Sequence, residues 1–251
     1  MTNIILRGCN GYMGQVITDI VDADDNTVIV AGVDVRQNRV NKYPVYQNFN
    51  KCNVKADVII DFSAPINLEE MLDYAISKGI GIVLCTTGLS KEQLILVDEA
   101  SKQIPILRSA NMSMGINLIS KLLKEAAGIL ADAGFDIEIV EKHHNRKVDA
   151  PSGTALALAD VMNEVLNQEY SYNFDRSKER VMRNKKEIGI SAVRGGTIVG
   201  EHEVIFAGTD EVIEIKHTAY SKAIFAKGAV QAAKFLPGKA AGMYNMSDIM
   251  D

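Results

Sequence analysis

Apolar and polar positions along this chain follow two textures. In the first, short apolar runs alternate with stretches of helical period. Residues 3–6 form an apolar run, and Val16, Ile17, Ile20 and Val21 then recur on one helical face. Residues 27–33 predict a second strand, while 35–56 carry little period and predict a loop in place of the usual helical crossover. Strands at 57–61, 81–84 and 105–107 alternate with helices at 67–77 and 91–100. Strands separated by helices predict a parallel sheet. A helix at 114–130, a strand at 135–140 and an amphipathic helix at 155–166 follow, and then the texture changes. Residues 188–193, 198–206 and 212–219 predict strands joined at Gly195-Gly196 and Gly208-Thr209-Asp210, an antiparallel pattern unlike the first half. A last helix at 222–236 is expected to return to the first domain. Residues 167–187 mix Arg176, Lys178, Arg180, Arg183, Lys185 and Lys186 with Asp175, Glu179 and Glu187 and read as a solvated face.

Between the first strand and first helix lies G-C-N-G-Y-M-G, with Gly8, Gly11 and Gly14 spaced G-x-x-G-x-x-G. This variant of the dinucleotide fingerprint supplies a tight turn, close backbone approach to a pyrophosphate and close packing of helix on strand. Asn10 is a residue type that tolerates left-handed backbone. Asp34 lies twenty residues after Gly14, at the end of the second strand, where an acidic residue takes adenosine ribose hydroxyls. Asp34 favours NADH, while Arg36 and Arg39 offer partners for the extra phosphate of NADPH. The polar exits Phe62-Ser63-Ala64-Pro65, Cys85-Thr86-Thr87-Gly88 and Ser109-Ala110-Asn111-Met112-Ser113 follow later strands. They are expected to line the nicotinamide half of the groove, since ligands of such sheets bind beyond the strands' carboxyl ends.

A length of 251 residues suits two domains, 1–114 with 223–251 for the dinucleotide and 115–222 for substrate and oligomerisation. The expected fold class is α/β, a Rossmann-like parallel sheet plus a mixed or antiparallel α+β domain. With 47% hydrophobic and 24% charged residues the chain can build a sizeable core. A net charge of −5 argues against a nucleic-acid or membrane-surface binder. Cys9, Cys52 and Cys85 are odd in number and widely spaced, which argues against a disulfide frame or a metal site. No secretory or membrane-spanning apolar run occurs, and the reading is a reduced, cytoplasmic protein.

The densest chemistry is E-K-H-H-N-R-K-V-D-A-P-S-G-T-A, residues 141–155, read as a polar strand-to-helix connection. Pro151 and Ser152 mark the helix start, with Ser152 as its cap, and the backbone N–H groups of Gly153 and Thr154 suit a carboxylate. His143 and Lys147 offer a proton and a positive charge, and His144 is a further donor. His202 and His217, on strands, read as structural.

Together these motifs, with D-F-S-x-P from Asp61, V-R-G-G-T-I-V-G-E-H and I-E-I-K-H-T-A, resemble the 4-hydroxy-tetrahydrodipicolinate (dihydrodipicolinate) reductase family almost end to end. H-H-x-x-K-x-D-x-P-S-G-T is its specific element. The resemblance implies hydride transfer from NADPH or NADH to a cyclic dicarboxylate in the diaminopimelate route to lysine, by a homotetramer. By position, His143 resembles the family's proton donor/acceptor and Lys147 its proton donor. His144, Ser152, Gly153 and Thr154 resemble its substrate site, and Gly8, Cys9, Asn10, Gly11, Tyr12, Met13, Asp34, Cys85, Thr86, Thr87, Ser109, Ala110, Asn111 and Met112 its cofactor contacts. The chain departs from the family in its short 35–56 connection, in Val35 where some members carry arginine, and in Lys222 where arginine is usual. The alternatives are another two-domain Rossmann reductase of a small amino or carboxylic acid, and a nicotinamide-sensing module without turnover.

Overall fold

The computed structural model describes residues 1–178 and 180–250; Glu179, one of the acids of the polar run, lies outside the described residues. The first stretch runs β1 (Thr2–Arg7), α1 (Tyr12–Asp22), β2 (Thr27–Val33), β3 (Val45–Tyr46), β4 (Val58–Asp61), α2 (Leu68–Lys78), β5 (Gly81–Leu84), α3 (Lys91–Ser101) and β6 (Pro105–Arg108). Next come α4 (Met114–Asp132), β7 (Asp136–His143), α5 (Gly153–Val165), β8 (Ser171–Asn173), β9 (Glu187–Arg194), β10 (Gly200–Ala207) and β11 (Val212–Ala219). Finally α6 (Ala223–Phe235) and β12 (Gly242–Tyr244) rejoin the first sheet. Two compact units result, Met1–Ser113 with Ala223–Asp251, and Met114–Lys222.

The first unit holds a parallel sheet of order β12-β6-β5-β4-β1-β2-β3. Its central strands β4 and β5 are buried on both faces, which is why their sequences are continuous apolar runs with no alternation. Ile5, Ile59, Ile82 and Ile106 are fully buried and join Met71 and Ala75 of α2 in one core. The loop expected at 35–56 has no α-helix, as its missing period indicated, but it lays down β3 beside β2. Two- and three-residue strands such as β3, β8 and β12 are too short to leave a periodic signal.

The second unit holds a sheet of order β11-β10-β7-β9-β8. It is mixed, one of the two forms expected for this domain: β10 is antiparallel to β7 and β11, while β9 runs parallel to β7 and β8. The chain returns along the sheet twice, by α5 before β8 and by residues 174–186 before β9, so β7, β8 and β9 all run the same way. β7 and β10 alternate buried and half-buried positions, so one face packs inward. There Ile137, Ile139, Val204 and Phe206 meet Leu123 of α4 and Leu158 and Met162 of α5.

The polar segment is also more than a solvated face. Arg183 donates to Asp136 at 2.8 Å, to Glu138 at 3.0 Å, and to the carbonyls of Ile137 and Glu187 at 2.9 and 2.6 Å. Arg176 pairs with Glu138 and Glu187. Two arginines thus stitch the segment to β7 and β9, a long-range pairing that local charge pattern cannot reveal.

Candidate active site

In the first unit the chain order turns back between β1 and β4, and the glycine loop sits at the carboxyl end of β1, at that switch point. The left-handed residue of the loop is Gly8 (φ 80°), not Asn10. A Cβ on Gly8 would stand 2.4 Å from the Phe62 carbonyl oxygen, and one on Gly14 would stand 2.2 Å from that of Gly8. Both glycines therefore serve the close approach of backbone to backbone. Gly11 precedes α1, whose start has no side-chain cap, so its first N–H groups are available to a phosphate.

Asn10 closes the loop: its N–H donates to Asp34 Oδ2 at 2.9 Å, its side chain donates to the Arg36 carbonyl, and it accepts from Asn41 at 2.8 Å. Asp34 accepts a second backbone N–H, from Arg36, at 2.8 Å. A cleft of about 330 Å³ opens here, lined by Gly8, Gly11, Asp34, Arg36, Asn48 and Ser63 among others. The Oδ1 of Asn48 is buried with no partner, an acceptor in want of a donor. Glycine backbone, uncapped helix, carboxylate and orphan acceptor fit a dinucleotide. Tyr12 is exposed and Met13 half-buried on the first turn of α1. Cys9 is fully buried, and burial, with Asp34 nearby, pushes its thiol up to about 12, so it offers backbone rather than thiolate.

Thr86 is buried and donates to Asp61 at 2.8 Å, and Ser63 donates to the same carboxylate at 2.6 Å. Burial raises the Asp61 pKa even though Arg7 pairs with it at 3.2 Å. This hidden pair, which sequence reasoning missed, ties the ends of β1, β4 and β5. Cys85 and Thr87 flank Thr86, and burial pushes the Cys85 thiol up. Ser109, Ala110, Asn111 and Met112 follow β6. The Met112 carbonyl rests on α6, where a Cβ on Gly228 would lie 1.7 Å away. Residues 85–87 and 109–112 do not line the 330 Å³ cleft.

In the second unit the predicted residues fall on one strand, turn and helix start. β7 runs three residues further than expected and places Glu141 and His143 on its buried face, in line with Ile137 and Ile139. Glu141 is 0% exposed. Its Oε2 lies 2.6 Å from His143 Nδ1 and 2.8 Å from Arg194, while Oε1 accepts from Arg194 at 2.6 Å and from the Ser152 N–H at 2.9 Å. Burial pushes this carboxyl up, but the bonds from Arg194, His143 and Ser152 together outweigh it and hold its pKa low.

Ser152 caps α5, accepting from the Ala155 N–H at 3.1 Å, and its hydroxyl lies 2.9 Å from His202 Nε2. Its side chain is thus committed within the fold. Burial, helped by His143, lowers His202 to about 4, leaving it neutral. Lys147 pairs with Asp149 at 2.9 Å, and Lys147 and the Gly153 N–H both lower the Asp149 pKa. The chain's own carboxylate therefore occupies donors expected to meet a ligand's. A Cβ on Gly153 would meet nothing within 4 Å, so open ground faces that turn. Thr154 begins α5 beside it. Burial lowers the pKa of His144, and Arg146 and Lys222 add to the shift. Lys222 thus keeps a cation near His144.

Glu141 and Arg194 were missed as site residues. A glutamate at an inward position of an alternating strand was the available signal. Among the described residues no cluster suits a metal ion, and no helix is long and apolar enough to cross a membrane.

The family model described as dihydrodipicolinate reductase, N-terminus, matches residues 2–112, and that for the C-terminus matches residues 115–250. A protein of Clostridium novyi (strain NT) called 4-hydroxy-tetrahydrodipicolinate reductase is 49% identical, with 100% of this chain and 98% of that protein covered. One of the same name from Caldanaerobacter subterraneus subsp. tengcongensis is 50% identical with the same coverage. Among solved structures, the dipicolinate-bound dihydrodipicolinate reductase from Paenisporosarcina sp. TG-14 has a TM-score of 0.79 at 24% identity, covering 98% of this chain and 97% of that one. With both halves of the chain matched in order, and full-length relatives identical at about half their positions, this chain belongs to the dihydrodipicolinate reductase family.

Proposed function

We propose that this chain reduces 4-hydroxy-tetrahydrodipicolinate to tetrahydrodipicolinate and water in the diaminopimelate route to lysine. The observation that carries the reading is the grouping of His143, Lys147 and the open Gly153 turn on one strand-to-helix segment, in a chain half identical to proteins bearing that reductase name. NADPH or NADH, when bound, supplies the hydride. The Gly8 to Met13 loop and Asp34 hold its adenosine and pyrophosphate, and 85–87 with 109–112 border its nicotinamide. His143 exchanges a proton at its ring, and Lys147 contributes a positive charge and a second proton. A substrate carboxylate takes the place of Asp149 on Lys147 and the Gly153 N–H, with Thr154 beside it and His144 as a neutral donor.

The unit Met1–Ser113 with Ala223–Asp251 serves the dinucleotide, and Met114–Lys222 serves substrate and self-association. The protein acts in the cytoplasm as a homotetramer, a reading supported by Val193 and Val212, apolar and exposed on the second sheet. Light scattering of the purified protein checks the count.

The central test follows the absorbance of reduced cofactor while the protein meets freshly generated substrate, with NADH and NADPH in parallel. Turnover with at least one is expected, and His143→Ala and Lys147→Ala should each lower it about 10²- to 10⁴-fold while sparing cofactor binding. Folded, cofactor-bound protein that oxidises neither cofactor refutes the assignment.

A further inference from the structure

We propose that Glu141 is a positioning residue that fixes the tautomer of His143, keeping a proton on Nδ1 so that Nε2 is the nitrogen that exchanges protons with substrate. This deepens the reading above and rests on His143 as the proton-handling group.

Four donors converge on two oxygens. Arg194 and the Ser152 N–H reach Oε1 at 2.6 and 2.9 Å, and Arg194 and His143 Nδ1 reach Oε2 at 2.8 and 2.6 Å. An ionised carboxylate has acceptor sites only, about four of them, so a ring nitrogen at that distance must bring the hydrogen. Neither oxygen can turn away, because three of the four donors are anchored. Arg194 stands opposite His143 in the parallel β7–β9 register and also donates to the Asp149 carbonyl at 2.7 Å. The Ser152 N–H belongs to the cap of α5.

At the far side of the ring, Gly200 keeps Nε2 uncovered, since a Cβ there would sit 3.1 Å from that nitrogen. One nitrogen is thus held, and the residue beside the other carries no side chain to crowd it.

The substitution Glu141→Gln makes the idea sharp. A carboxamide keeps the shape but must place its NH₂ at one of the two oxygen positions. At Oε1 it would face two fixed donors, Arg194 and the Ser152 N–H. At Oε2 it faces Arg194 and a ring that can change tautomer and accept. The second arrangement is the lesser conflict, so the variant moves the His143 proton to Nε2, the wrong tautomer for exchange.

The test is nitrogen-15 NMR of the full chain with cofactor bound and its four histidines labelled. The His143 signals are identified by their loss in His143→Ala. The wild type should show the proton on Nδ1 and Glu141→Gln should show it on Nε2, with kcat/KM down about 10²- to 10⁴-fold and cofactor affinity unchanged. Because Glu141 acts through His143, adding Glu141→Gln to His143→Ala should cost nothing further. A wild-type proton on Nε2 overturns the proposal with no substitution needed, and so does a double variant far slower than His143→Ala alone. Full activity in Glu141→Gln with an inactive His143→Ala refutes this inference only. Full activity in His143→Ala refutes the role of His143 itself.

Discussion

Replacing Asp34 by asparagine separates two jobs that the carboxylate does at once. It holds the glycine loop, accepting the N–H of Asn10 at 2.9 Å and that of Arg36 at 2.8 Å, and it lines the 330 Å³ cleft. Two of its roughly four acceptor sites are used, which leaves room for ribose hydroxyls. A hydrogen bond to an ionised acceptor is worth about 1.5–3 kcal/mol, or about ten- to a hundredfold in affinity. A 2′-phosphate at the same spot meets a like charge, worth about 4 kcal/mol at 4 Å and an effective dielectric of 20, less where solvent screens it as here. The carboxamide of Asp34→Asn would keep the shape and lose the charge. Damage to the loop lowers kcat/KM for both cofactors by one common factor and cancels in their ratio. The NADPH to NADH ratio of kcat/KM is therefore expected to rise at least tenfold, read from initial rates with each cofactor. An equal fall for both would refute the ribose role and leave Asp34 as a loop anchor only.

Gly14→Ala puts a methyl group 2.2 Å from the Gly8 carbonyl oxygen, and overpacking of about 1–3 kcal/mol should weaken cofactor binding at least tenfold by titration; unchanged affinity would mean the loop yields freely. Arg183→Ala removes five bonds to carboxylates and carbonyls and should cost about 2–4 kcal/mol in urea unfolding of the second unit, whereas a loss under about 0.5 kcal/mol, the range typical of surface sites, would restore the solvated-face reading. His202 sits near 4 when folded and 6.5 when not, so between those values the unfolded chain binds the proton first and stability falls as pH drops. At about 1.4 kcal/mol per pH unit the loss approaches about 3 kcal/mol near pH 4. His202→Gln does not titrate and should flatten that part of the pH-stability curve; an identical slope would show that other groups cause it.

The parallel sheet was legible because its strands are apolar throughout and separated by helical period, a signature of burial on both faces. Helix start signals also read correctly, as at Ser152. What escaped was long-range. β9 looked like a member of an antiparallel run because its residues carry no mark of its partner, and pairing with β7 became parallel through two returns of the chain, by α5 before β8 and by residues 174–186 before β9. The 141–155 stretch was found by its density of polar groups, but its division between strand and turn was not, because Glu141 and His143 look like loop residues until the alternation from Ile137 is followed past Val140. Arg194 is more than fifty residues from the carboxylate it holds, and no spacing rule connects them.

That alternation ties stability to chemistry in the second unit. Ile137, Ile139, Glu141 and His143 share the inward face of β7, and Gly200, His202, Val204 and Phe206 share that of β10. One layer is thus apolar at one end and polar at the other, with no boundary but the change of side chain. The apolar end gains from burial at about 25 cal/mol per Å². The polar end is tolerable because Arg194, the α5 cap and His202 meet the Glu141 carboxylate and the Ser152 hydroxyl, although Arg194 Nε and His202 Nδ1 stay buried without a partner, and removing one of these contacts leaves a charge or donor unpaired at a cost of several kcal/mol. His143 is therefore held by the same packing that makes the core. A cavity at Val204 or Phe206 should slacken the ring as well as the fold, so a Phe206→Leu protein still fully folded at low temperature is expected to lose turnover before it loses structure on warming. Parallel loss of activity and ellipticity would show that the polar end keeps its geometry independently of the apolar one.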